Sequence, residues 1–122
     1  MADAPTNIKQ QRDRFLAFSF AASDLLLEIG DGGKVTYALG ASQGILGVDD
    51  KTLEGLRWLD IFASIDRPVL KTMMDKARPG QRCGPILVAL NGGFGKNTKA
   101  LITGIKMPGS DSFYMTLSLG NI

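Results

Sequence analysis

The hydrophobic positions of this chain change period several times between Met1 and Ile122. Residues 1–6 (MADAPT) carry no pattern and suggest a disordered leader. From residue 7 to residue 23 the apolar side chains return at helical spacing. Ile8, Phe15 and Phe18 share one stripe, and Leu16 and Phe20 add apolar surface on another side. Asn7 followed by Gln10 matches a capping box at the start of such a helix. A helix that is apolar on more than one side packs between two surfaces.

The period then falls to two. LLLEIG (25–30) and KVTYAL (34–39) alternate around Asp31-Gly32-Gly33, which predicts a β-hairpin because glycine supplies the positive φ of a tight turn. Alternation puts Leu25, Leu27 and Ile29 on one face of the first strand. It puts Val35, Tyr37 and Leu39 together on one face of the second. Residues 40–65 break into short helical pieces and turns. A clearer helix starts at Asp66, its expected N-cap, with Pro68 in the first turn and Pro79-Gly80 as its stop. Leu70, Met73, Met74 and Ala77 form its apolar stripe. Three more alternating runs close the chain at 84–91, 98–107 and 112–120. The order of one helix, two strands, a helical stretch and three strands predicts an α+β domain with helices over one sheet face.

Composition sharpens this. At 44% hydrophobic and 21% charged, the chain is an ordinary globular domain, and 122 residues make one domain rather than two. A net charge of +2 with scattered Lys and Arg offers no footprint for nucleic acid. The longest apolar stretch, FLAFSFAASDLLLEI, is interrupted by Ser19, Ser23, Asp24 and Glu28, so no membrane span is expected. The chain contains no histidine and one cysteine, Cys83. That excludes His-ligated haem, thiolate metal clusters and Ser-His or Cys-His nucleophilic catalysis. Cysteine usage fits a cytoplasmic setting. Cys83 beside Arg82 is read as an inert strand-start thiol.

Two glycine-rich runs invite a phosphate-binding reading. GASQGILG (40–47) has the wrong spacing for a dinucleotide fingerprint and follows a hairpin strand. GGFGKNT (92–98) lacks the glycine and hydroxyl of a Walker motif, because Leu90 and Asn97 hold those positions. Both read as turns. The carboxylates Asp49, Asp50, Glu54, Asp60 and Asp66 fall at turns and caps, so no catalytic residue and no metal site is assigned.

The order of elements, together with particular residues, resembles the PAS family of sensory domains over roughly residues 8–120. DGGKVTYALGASQGILG supplies Asp31, Gly32, Val35, Tyr37, Ala41, Ile45, Leu46 and Gly47 in the family's spacing. TLEGLRWLDIFASIDRP follows with Leu53, Gly55, Asp60, Asp66 and Arg67 in register. The resemblance implies a five-stranded antiparallel sheet in the order 2-1-5-4-3, with helices enclosing a cavity over one face. Residues 7–23 would be an N-terminal flanking helix and residues 24–122 the PAS core. It implies a non-catalytic sensory module, homodimeric through Ile8, Phe15 and Phe18. An effector domain would follow in a longer chain, such as an EAL or GGDEF cyclic-di-GMP enzyme of proteobacteria or a histidine kinase.

A pocket of that kind would lie between sheet and helices, near Leu27, Leu39, Ile45, Ile61, Phe62, Leu70, Met73 and Met74. Its apolar lining points to a small apolar ligand. The alternative is a filled core and a constitutive dimerisation or docking module. Leu39 stands where relatives commonly place an asparagine, which makes that pocket drier. The region GLRWLDIF lacks the cysteine of the flavin-binding branch, and DRPVLKTMMDKAR lacks the histidine of haem-binding relatives, so neither cofactor is expected.

Overall fold

The structure of the chain, a computed structural model, describes residues 4–22, 24–40, 46–92, 98–109 and 111–119. The described elements are α1 (Ala4–Ala22), β1 (Leu25–Ile29), β2 (Val35–Gly40), α2 (Asp50–Leu53), two 3-10 turns (Trp58–Ile61 and Ser64–Asp66), α3 (Arg67–Asp75), β3 (Arg82–Ala89), β4 (Lys99–Lys106) and β5 (Phe113–Leu119). The strands form one antiparallel sheet in the order β2-β1-β5-β4-β3. This is the α+β plan expected from the alternation, with the terminal strands central and β2 and β3 at the edges.

The first helix starts earlier than its pattern suggests. It begins at Ala4, so residues 4–6 form its first turn instead of a leader. Pro5 is compatible with that, since an N–H in the first turn has no helical acceptor to lose. The hairpin turn is built as expected, with Gly32 and Gly33 at φ values of 88° and 79°. Its second strand is not. The β1–β2 register shifts between Glu28 and Ile29, pairing Glu28 with Tyr37 but Ile29 with Val35. Thr36 is the extra residue, and its hydroxyl bonds the Glu28 carbonyl and carboxylate at 3.2 and 2.8 Å. The bulge splits the face that strict alternation predicts. Val35 turns inward with Ala38, while Tyr37 and Leu39 turn to the opposite side.

The helical layer is strung from one sheet edge to the other. At β2, Val35 exchanges backbone bonds with the 55–56 segment: its N–H donates to Leu56 (2.8 Å) and its carbonyl accepts from Gly55 (2.7 Å). At β3, Ala89 does the same with residues 63–66. Its carbonyl accepts from the Ala63 N–H (2.9 Å), and its N–H donates to the Asp66 carboxylate (2.8 Å). Asp66 is therefore the residue before α3, as expected of a cap, but its side chain makes no capping bond. It ties the sheet edge. Both edges are thus covered at one end, where unpaired groups would otherwise invite pairing with other chains.

Between these ties the layer lies on the inner sheet face. Leu25, Leu27, Ile29, Phe113, Met115, Leu117, Ala100 and Ile102 meet Leu46, Leu53, Trp58, Ile61, Phe62 and Leu70 in one continuous buried cluster. Gly104 holds an inner position that any side chain would overfill, because a Cβ there would run into the Phe113 ring. Trp58 and Phe62 pack edge to face with centroids 6.1 Å apart.

Asp49 caps α2, its Oδ1 accepting from the Thr52 hydroxyl (2.8 Å) and the Thr52 N–H (3.0 Å). Those bonds, the hydroxyl first, hold its carboxyl below the ordinary carboxylate value. A lowered pKa means the cap stabilises above the unfolded value of about 3.9, and the contribution is lost as pH falls through the folded value. Acidification below about pH 4 should therefore reduce the amide-exchange protection of Thr52 ahead of the sheet amides. In Asp49→Asn that early loss should be absent.

Candidate binding site

The sheet register sorts every strand residue onto one of two faces. Directly opposed residues share a face, so Tyr37, Glu28, Tyr114, Ile105 and Arg82 form one row across all five strands on the outer side. Leu39, Leu26, Thr116 and Thr103 form the next row. No helix of the 46–75 layer reaches this side, since that layer is bonded over the inner face.

The residues expected to line an inner pocket separate accordingly. Leu27, Ile61, Phe62 and Leu70 come together on the inner face, each 2% exposed or less, inside the continuous core. Met73 and Met74 are half-buried and pack against that cluster. Leu39 does not join them. It faces the outer side, because the Thr36 bulge sets its register with Leu26. Ile45 lies outside the described residues.

The larger hollow lies on the outer side. It is a groove of about 530 Å³ between the sheet and α1, lined mostly by carbon. Leu26, Leu39, Ile105, Tyr37 and Tyr114 supply the sheet wall, and Phe15 and Leu16 the helix wall. Among the described residues its charged members are Arg12, Arg82 and Glu28. Leu16 is half-buried, whereas Ile8, Phe15 and Phe18 are 65%, 68% and 76% exposed. Of the two surfaces expected to sandwich this helix, the described residues supply one, the outer sheet face.

The groove was legible in part. Leu26, Leu39, Tyr37, Ile105 and Tyr114 all occupy the alternate positions that a one-sided sheet normally gives to solvated polar residues. That excess of large apolar groups on the polar phase is the signal, and strict alternation in β2 obscured it.

A smaller hollow of about 270 Å³ sits at the β1–β2 turn, lined by Asp31, Asp75, Lys106 and Asp111 among others. Among the described residues no three His, Cys, Asp or Glu groups converge as metal ligands. Cys83 is half-buried and packs against the core. Trp58 is buried at the hairpin turn, its N–H backbone bonding the Gly33 carbonyl at 2.9 Å. No described helix is long and apolar enough to cross a membrane.

A five-stranded antiparallel sheet ordered 2-1-5-4-3, with its helical layer inserted between the second and third strands, is the PAS fold. Among solved structures, this chain is similar to the PAS domain of an HTR-like protein from Haloarcula marismortui, with a TM-score of 0.73 and 12% sequence identity. The match covers 98% of this chain and 100% of that one. No family model and no curated protein matches the sequence.

Proposed function

We propose that this chain is a non-catalytic, cytoplasmic signalling module that takes its input on the outer sheet face and self-associates there through α1. It would pass its state to an effector domain, of which a cyclic-di-GMP phosphodiesterase or cyclase and a histidine kinase are the forms suggested by the sequence resemblance. The PAS fold supports a sensory role. The observation that carries the reading is the pairing of an apolar outer groove with bare phenylalanines on the helix beside it. Exposed apolar patches of this kind mark interaction surfaces. An input that prefers one arrangement of α1 over the sheet shifts the population of that arrangement, by no more than its differential affinity.

The filled-core alternative also has an observation in its favour, since Ile61, Phe62 and Leu70 are fully buried where an inner ligand would sit. The two readings converge on the same outer surface. Sedimentation of the chain and of a Phe15→Asp/Phe18→Asp variant tests the interface. A dimer is expected to become a monomer. Equal mass for both chains, whichever mass that is, would remove α1 from the interface.

A further inference from the structure

We infer that the outer groove is a binding site for an amphiphilic carboxylate, an acyl chain of medium length with an anionic head held by Arg82. The inference rests on the outer face being the input surface, and it goes further by naming the chemistry of what enters. Its floor is apolar and strand-fixed: Leu26, Leu39 and Ile105 are set there by the β1, β2 and β4 registers. Its volume of about 530 Å³ falls within the range of small-molecule sites, about 300–1,000 Å³.

Charge selects the head group. Among the described residues lining the groove, Arg12 and Arg82 stand on different walls against one carboxylate, Glu28. That carboxylate already accepts from the Thr36 hydroxyl at 2.8 Å. Arg12 reaches Asp13 only at 4.0 Å with both groups exposed, a pair that competes weakly with an incoming anion. Arg82 closes the end of the outer row at β3, and a guanidinium grips a carboxylate through two parallel N–H bonds. From Arg82 on β3 to Leu26 on β1 is three strand spacings, about 14 Å, which suits an acyl chain of about ten carbons.

Calorimetric titration with decanoate, below its micelle concentration, tests this. One decanoate per chain is expected. Octanoate should bind about fifteenfold more weakly for two lost methylenes. Arg82→Gln should weaken decanoate by about tenfold or more, and decanol should bind the unaltered chain no better than decanoate binds that variant. Leu39→Asp should abolish binding. Arg82 is exposed, so its variant should melt with the unaltered chain, which separates lost binding from lost fold. Equal affinity for decyltrimethylammonium would overturn the inference, as would an unchanged affinity in Arg82→Gln.

Phe18 is outside the groove lining, so Phe18→Asp serves as the second background. No decanoate binding in either chain would overturn the acyl site while leaving the self-association reading intact. Decanoate binding in a chain that never self-associates would do the reverse.

Discussion

Phe62→Ala is expected to lower the stability of this domain by about 3–5 kcal/mol, the range for truncating a large buried aromatic. With 122 residues, that corresponds to a fall in melting temperature of roughly 10–20 °C. The size of the effect follows from where the ring sits. Phe62 is fully buried, meets Trp58 edge to face, and lies at the seam where the helical layer bonds β3. Removing it leaves a void lined by atoms that are themselves tied from both sheet edges, so the surroundings have little freedom to collapse. A total stability of about 5–15 kcal/mol leaves a narrow margin after such a loss. Thermal unfolding followed by circular dichroism measures it, with Tyr37→Ala as the comparison. Tyr37 is half exposed on the outer face, and its truncation should move the midpoint far less. The pair of variants also decides what the inner face is for. A cost below about 1 kcal/mol for Phe62→Ala would mean that its ring already borders a hollow, and would return the ligand site to the inside of the domain.

How much of this was legible in the sequence differs between levels of structure. Element type and order were readable because the period changes from helical to alternating at identifiable turns, and Asp31-Gly32-Gly33 marks one of them. Register was not. A one-residue bulge at Thr36 leaves no trace in an apolar-polar pattern, yet it moves Tyr37 and Leu39 from the core side to the outer side. The error in placing Leu39 is therefore an error of a single residue in pairing, amplified by the two-residue repeat of a strand. Asp66 teaches a related lesson. Its position just before a helix is a local feature that sequence shows, whereas its bond to Ala89 spans 23 residues and depends on the fold being closed. The groove combined both levels: its apolar residues were visible one by one, and only the five-strand register gathers them into one surface.

That register also bears on the proposed input on the outer side. The inner face is covered by a layer hydrogen-bonded at Val35 on one edge and Ala89 on the other, so opening it would break backbone bonds at both. The outer face is bounded by α1, whose apolar stripe is still exposed. An occupant there would change the contacts of α1 without breaking the backbone bonds that hold the inner layer.

Asp66 and Arg67 should account for the second-largest loss, and for a reason that the D-R pair in the sequence does not itself disclose. Asp66 accepts the Ala89 N–H at 2.8 Å, while the Arg67 Nε donates to the carbonyls of Leu59 (2.9 Å) and Phe62 (3.1 Å). One side chain ties the layer to β3, and its neighbour holds the end of the Trp58–Ile61 3-10 turn against the start of α3. Asp66→Ala leaves a part-buried N–H without an acceptor and removes a charge-assisted bond, for an expected cost of about 1.5–3 kcal/mol. Asp66→Asn keeps an oxygen in place and should cost less than half of that. Arg67→Lys should not rescue Arg67→Ala, because an ammonium on a flexible stem does not reproduce a fixed Nε–H shared by two carbonyls. Since both residues secure the same segment, their double variant should lose less than the sum of the singles. Denaturant unfolding gives the energies, and amide exchange gives the location. In Asp66→Ala the Ala89 N–H should lose protection before the amides of β4 and β5 do. Uniform loss across the sheet would mean that Asp66 stabilises the domain by some route other than the β3 edge.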